Sequence, residues 1–271
     1  MNESLASQRD TGRFDFRLRG VVGVWLRHYT AFKGGWMIEM TGIILEPVFI
    51  LAAVAFGIGK LVGHVETRDE GVSYAVFVAP GIVIGNAMWH SLFECSWGAF
   101  RRLQTNRIYD SILAAPVSMR EIVLGEIAWG ATRALMTTAA VLAFATATGL
   151  VESPWAIGIL GVGIMTGFMF GGFGLIAAAI APSTHMLTLV FTMVATPLFF
   201  FSGTFFPIST LPIWAQPIAW SLPLSHPVRI ARALATGELY IALLWSLLYL
   251  IVATLIFFPL AVKLLRRRLL V

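Results

Sequence analysis

The stretch "PISTLPIWAQPIAWSLPLSHPVRI" (Pro207–Ile230) decides how this chain is read. It is apolar enough to lie in a membrane, yet it carries five prolines and a single charge, Arg229. Each proline removes a backbone donor and blocks the helix turn before it. One straight spanning helix is therefore impossible here. Backbone that is not fully helical is tolerated at membrane depth only where protein buries it or where it lines a cavity. The prolines are expected to cut the segment into pieces of at most two turns. A hairpin of two short helices dipping into the outer leaflet fits this, with Trp214 and Trp220 at headgroup level. Pro207, Pro212, Pro217, Pro223, His226 and Pro227 are then candidates for an outer gate. The alternative is a structured outer loop without a gating role.

The surroundings of this stretch make lipid the expected solvent. From Ala134 to Val228 the only Asp, Glu, Lys or Arg is Glu152. Across the 271 residues, 58% are hydrophobic and 12% charged, with mean hydropathy +0.83. A soluble domain carries about 25% charged residues. Six spans are expected, at residues 37–59, 74–97, 127–150, 156–180, 186–206 and 240–260, each close to the ~20 residues a bilayer requires. The fold class is an all-α membrane protein. Three regions follow: residues 1–36 before the spans, a six-span domain over 37–262, and a basic tail at 263–271. Within the domain, 98–126 reads as a long basic loop and 207–239 as the re-entrant gate segment.

Phe14–Lys33 reads as an amphipathic helix. Phe14, Leu18, Val21, Val22, Trp25, Tyr29 and Phe32 share one arc at 100° per residue, and Arg13, Arg17, Arg27 and His28 share the other. Aromatic residues opposite arginines suit the membrane surface. The polar start lacks the short apolar core of a signal peptide, so no cleavage is expected. Lone Cys95 excludes an intrachain disulfide.

Lys and Arg place the ends. Fourteen lie before the first span, in the 98–126 loop or in the tail, against four (Lys60, Arg68, Arg229 and Arg232) on the other side. The excess marks the cytoplasmic face. Both termini are expected there, and the proline segment outside. The pI near 9.8 does not point to nucleic acid, because the basic residues flank apolar segments.

Charged residues within spans are functional candidates by default. Glu46 precedes Pro47 at an expected kink. Glu94 lies seven residues before Arg101, and Glu126 seven before Arg133. Both spacings suggest pairing on one helix face, either as interfacial anchors or as something more. In the 98–126 loop, Ile108, Ile112 and Leu113 share a face away from Arg107 and Asp110. A short cytoplasmic helix there could enter a groove on a partner or lie on lipid. Gly163, Gly167 and Gly171 form a smooth stripe, expected to pack helices within one subunit or, alternatively, to join two copies.

Several chemistries are missing. "FGIGK" (56–60) has Val54 where the first glycine of a phosphate loop belongs, so no ATP site of that kind exists. No H-E-x-x-H zinc pattern occurs. A serine hydrolase would need Ser202 with His226 or His185. A secondary transporter would need internal repeats and midplane ion ligands, and Glu46 stands alone.

The segments "FFSGTFFPISTLPIWAQPIAWSLPLSHPVRIARAL" (200–234), "RIYDSILAAPVSMREIVLGEIAWGATRAL" (107–135) and the tail "LLRRRLL" (264–270) resemble the membrane subunits of type-two ABC exporters. The likeness covers nearly the whole chain. It is greatest to the nodulation protein J group, which exports lipo-oligosaccharide with a separate ATPase. The resemblance implies a coupling helix within Arg101–Pro116 that docks on the ATPase, with Arg101, Arg102, Arg107, Asp110 and Ile112 as contacts. It implies two copies of this chain with two ATPases in the bacterial inner membrane. ATP and Mg would bind the partner, and this chain would hold no cofactor. Phe199, Phe201, Phe205 and Trp214 could line a translocation seam for a lipid-linked saccharide or glycolipid. Drugs or other small amphiphiles are the alternative cargo.

Overall fold

The computed structural model describes residues 16–66, 71–104, 108–109 and 116–270. Among the described residues, six helices are long and apolar enough to cross a membrane: Leu18–Val62, Tyr74–Gln104, Met119–Ala147, Pro154–Ile180, Thr184–Phe201 and Leu243–Leu269. They match the six expected spans in number and order, and the protein is an all-α membrane protein.

Helix α1 (Leu18–Ala52) fuses the amphipathic segment and the first span. Its backbone leaves helical geometry at Gly35 (φ −130°, ψ 19°), where a missing side chain makes the bend cheap. The expected kink at Pro47 is not where the dihedrals break, since Pro47 sits inside the helix. A π-helical turn, Ala53–Ile58, carries the chain on. Strands β1 (His64–Glu66) and β2 (Gly71–Ser73) then pair antiparallel, with Val65 opposite Val72. The mixed charges there suggest only a link.

Helix α2 (Tyr74–Phe93) passes through a second π-helical turn, Glu94–Gly98, into Ala99–Gln104. Helix α3 (Met119–Ala147) opens on a capping box. The Ser118 hydroxyl accepts from the Glu121 N–H at 3.4 Å, and the Glu121 carboxylate accepts from the Ser118 N–H at 2.6 Å. Within the expected 98–126 loop, Ala99–Gln104 and the first turns of Met119–Ala147 are therefore helical. The helices extend past the expected ends because the capping box starts α3 early and because the charges at both ends neutralise one another, as described below.

Helix α4 (Gly158–Ile180) carries the glycine stripe inward. A Cβ on Gly167 would come within 2.7 Å of Ala131 Cα, and one on Gly171 within 3.2 Å of Ser91 Oγ. The stripe thus packs α4 onto α3 and α2 within one subunit. Helix α5 (Thr184–Val190) runs on through two more π-helical turns, Phe191–Ala195 and Phe200–Thr204, and breaks at Gly203 with φ 76°. The proline segment holds α6 (Gln216–Ser221) and α7 (Ser225–Thr236), with Gly237 in the left-handed region after it. Helix α8 (Leu243–Leu270) ends the chain.

The core lies along α2 and α4, where Ile82, Met88, Leu92 and Phe170 are buried. The most apolar windows of α1 and α8 are only 22% and 11% buried, against 78% for the span beginning at Tyr74. Their outer faces are left for lipid or another subunit. Contacts sort the connections into two ends. Arg17 meets Glu121, and Arg268 donates to the Ala178 and Ala181 carbonyls, each at 2.6 Å. Both ends of the described chain therefore share one end of the bundle. At the other, Arg232 donates to the Phe77 and Gly203 carbonyls.

Candidate functional site

At the end that holds both termini, charges from α1, the Tyr74–Gln104 helix and α3 meet in one network. Arg102 stands at its centre. Its Nη1 donates to Glu94 Oε1 at 2.9 Å and its Nη2 to Glu126 Oε2 at 2.6 Å. Glu126, with no exposed side-chain surface, also takes His28 Nε2 at 3.1 Å and Arg27 Nη2 at 3.6 Å on Oε1. Arg133 bridges Glu94, at 3.3 Å, to Glu39. Three carboxylates face three guanidinium groups and one imidazole. Unpaired, any of them would be costly in this setting.

Helix geometry explains why these residues meet. Seven residues return a regular α-helix to nearly the same face, which points Arg101 at Glu94. The π-helical turn Glu94–Gly98 takes up one residue more, as i→i+5 bonding does, so Arg102 arrives instead and Arg101 is left exposed. Gly98 makes room, since a Cβ there would lie 2.9 Å from Glu94 Oε1 and 3.0 Å from Arg102 Nη1. Arg133 likewise pairs across helices with Glu39 and Glu94, not along α3 with Glu126.

The amphipathic half of α1 docks on α3 beside this network. His28, expected on the polar arc, is buried and stacks on Trp129 at 5.7 Å, with Phe32 against the same ring. Trp25 Nε1 donates to Thr132 Oγ1 at 3.0 Å. A Cβ on Gly125 would lie 2.6 Å from Val24 Cβ, so α1 and α3 nearly touch there. Leu18, Val22 and Tyr29 remain exposed on the other side.

From the loop between the second and third spans comes Tyr109, fully buried against Val24 and Ile122. Burial, reinforced by the Glu126 carboxylate, pushes its phenol well above the ordinary value and keeps it neutral. Of the expected coupling residues, Arg102 faces inward and Arg101 outward. Arg107, Asp110 and Ile112 lie outside the described residues.

At the opposite end the prolines start helices more than they break them. Pro217 and Pro227 occupy the first turns of α6 and α7, where an absent N–H costs nothing. For that reason α7 reaches 12 residues, longer than the two turns expected. Pro207 and Pro212 carbonyls close turns onto Thr210 and Ala215, and Pro223 sits between the two helices. His226 stacks on Tyr249 at 4.0 Å and meets Ser246 Oγ at 3.3 Å, tying α7 to α8. Burial holds its imidazole below the usual pKa.

The four aromatic seam candidates separate. Phe199 is buried against Gly85 and within 5.2 Å of the Phe205 ring, whereas Phe201 and Trp214 are exposed. Exposed Glu46 has no ion pair among the described residues. Ser202 is buried and donates to the Leu198 carbonyl, while His226 is engaged with Ser246. Among the described residues no hydrogen bond joins Ser202 to His226 or His185.

The sequence pattern of the ABC-2 type transporter matches residues 21–236. The chain belongs to the ABC-2 type transporter family. It is 35% identical to nodulation protein J of Rhizobium leguminosarum bv. trifolii over 249 residues, covering 92% of this chain and 94% of that protein. With nodulation protein J of Bradyrhizobium diazoefficiens it shares 30% identity over 92% of this chain and 94% of the relative. The inner membrane transport permease YadH of Escherichia coli is 24% identical over 76% of this chain and 78% of its own length. In this ABC-2 permease, the charge network and the proline segment occupy opposite ends of a membrane transport subunit.

Sequence reasoning missed Glu121, Tyr109 and Arg268. The "SMRE" capping box at 118–121 is a readable signal for the first. Tyr109 and Arg268 have no such signal, because their partners are distant in the chain.

Proposed function

We propose that this permease moves a lipid-linked saccharide or glycolipid of the lipo-oligosaccharide type across the inner membrane, driven by a separate ATPase. The observation that carries this reading is the charge network around Arg102 and Glu126, with Tyr109 buried beside it. A push delivered there reaches three helices at once, through Tyr109 and Arg102. The 30–35% identity to nodulation protein J supports the cargo class. Two copies of the chain rock against each other, and the apolar outer faces of α1 and α8 suit a seam or lipid. Both termini lie in the cytoplasm, the amphipathic half of α1 lies at the inner interface, and the 207–239 segment gates the outer mouth.

The network acts as a rigid hub. Its members are mutually neutralised, so the three helices tilt as one body when the loop moves, the kind of bistable rearrangement that couples distant sites. The test is copurification with the cognate ATPase, followed by ATP-dependent transfer of a lipid-linked oligosaccharide in proteoliposomes. Transfer that needs both subunits is expected. A permease that binds no ATPase, or that responds to ion gradients alone, defeats the reading. Transfer of small amphiphilic drugs but no glycolipid would reassign the cargo.

A further inference from the structure

Away from the charge network, the proline end of the bundle encloses a cavity of about 550 Å³. Phe77 of α2, Ser202 and Gly203 at the end of the fifth span, and Arg229 and Arg232 of α7 line it. The two arginines are three residues apart and so share one face of α7.

Neither arginine has an ion pair among the described residues, although Glu238 lines the same space. Arg232 is held instead by carbonyl dipoles and a ring. Its Nε donates to Phe77 O at 3.1 Å, its Nη2 to Gly203 O at 2.8 Å, and its guanidinium lies 3.8 Å from the Phe77 ring centre. Arg229 donates from Nε to Tyr240 Oη at 2.8 Å and lies 5.1 Å from the ring centres of both Trp220 and Tyr240. Nη1 of Arg232 and both Nη atoms of Arg229 make no hydrogen bond among the described residues. Burial draws the Arg232 pKa down to about 10, which leaves the group charged at neutral pH.

Two cations on one cavity wall, neither in an ion pair among the described residues, repel one another. In the charge network at the other end, by contrast, each guanidinium faces a carboxylate. The geometry points to a site for an anionic headgroup, a phosphate or sulfate ester on an amphiphile, whose oxygens take the free N–H groups of Arg229 and Arg232. Guanidinium groups suit such oxyanions because they donate in a planar fork. The headgroup belongs either to the exporter's cargo or to a lipid of the surrounding leaflet. Only the cargo alternative rests on the exporter reading.

The test uses the full-length chain in non-ionic detergent. Binding of short-chain phosphatidylglycerol is compared with that of short-chain phosphatidylcholine by native mass spectrometry. The wild type is expected to prefer the anionic lipid by about tenfold or more, as charge-assisted hydrogen bonds allow. R229Q, which leaves the carbonyl contacts of Arg232 intact, is expected to remove most of that preference without changing the unfolding temperature of the lipid-free protein. R232K, keeping charge but losing the fork, should weaken it partially. No preference in the wild type, or a wild-type preference in both variants, overturns the site.

A second arm separates the sources. Export of an acidic glycolipid is measured with the ATPase in vesicles of phosphatidylcholine alone. Loss of export in R229Q assigns the headgroup to the cargo, and unchanged export assigns it to a bilayer lipid. Absence of export by the wild type would fell the exporter reading and leave the binding result standing.

Discussion

The Glu121 carboxylate serves the starts of two helices. It accepts the Ser118 N–H in the capping box of α3 and the Arg17 N–H at the head of α1. Gly20 lies so close that a Cβ there would meet Glu121 Cδ at 2.7 Å. Replacing Glu121 by Ala orphans both donors and is expected to cost about 2 kcal/mol, read as a lowered unfolding midpoint in detergent. His226 gives a pH dependence of definite sign. Its folded-state pKa is depressed, so folding favours the neutral ring. That contribution is complete above the unfolded-state value of about 6.5 and is lost as pH falls below it toward the folded value. Melting at pH 7.5 and 5.5 should show a smaller acid loss in His226→Gln than in the wild type. Residue chemistry of this kind was half legible in the sequence. The buried acids and Arg133 stand out as charges in apolar runs, but their partners do not, because Arg133 reaches Glu39 across 94 positions.

At the scale of elements, the charge network links α1, the Tyr74–Gln104 helix and α3. Removing one member leaves its partners buried and uncompensated. Glu126→Gln is expected to destabilise by about 3 kcal/mol or more, whereas Glu126→Gln combined with Arg102→Met should recover part of the loss. Unfolding of the single and double variants in detergent checks this, and additive losses would show that the two do not interact. The six spans were readable from hydropathy alone. Their ends were not, since the apolar run stops before the helix does wherever charges are neutralised in pairs. The proline segment was readable as broken, but its longest piece was underestimated because a proline in a first turn nucleates rather than interrupts.

For the whole molecule, the two ends carry different physics. One holds a dense, balanced set of charges with Tyr109 buried beside it. The other holds short helices, turns and an arginine-lined cavity. Under the proposed function, force would pass inward from the charged end to the end built of short helices. Reversing charge at both Arg107 and Asp110 is expected to uncouple ATP hydrolysis from export, leaving unfolding in detergent unchanged. Transport in vesicles alongside ATPase activity measures it, and export at the wild-type rate would remove the loop from the drive train. The family was legible in the motifs around 107–135 and 200–234. The hub was not, because it arises only where three distant helices converge.

The wide turn at Glu94–Gly98 also bears on how such a chain can change length. It already stores one residue beyond the regular helix. Deleting Ser96 should let the turn tighten to ordinary pitch while the flanking halves keep their facing, so Arg102 still finds Glu94. The same deletion at Ala139, in a regular stretch of α3, would swing everything beyond it by about 100°. Single-residue drift is thus absorbed at the wide turns and rejected between them.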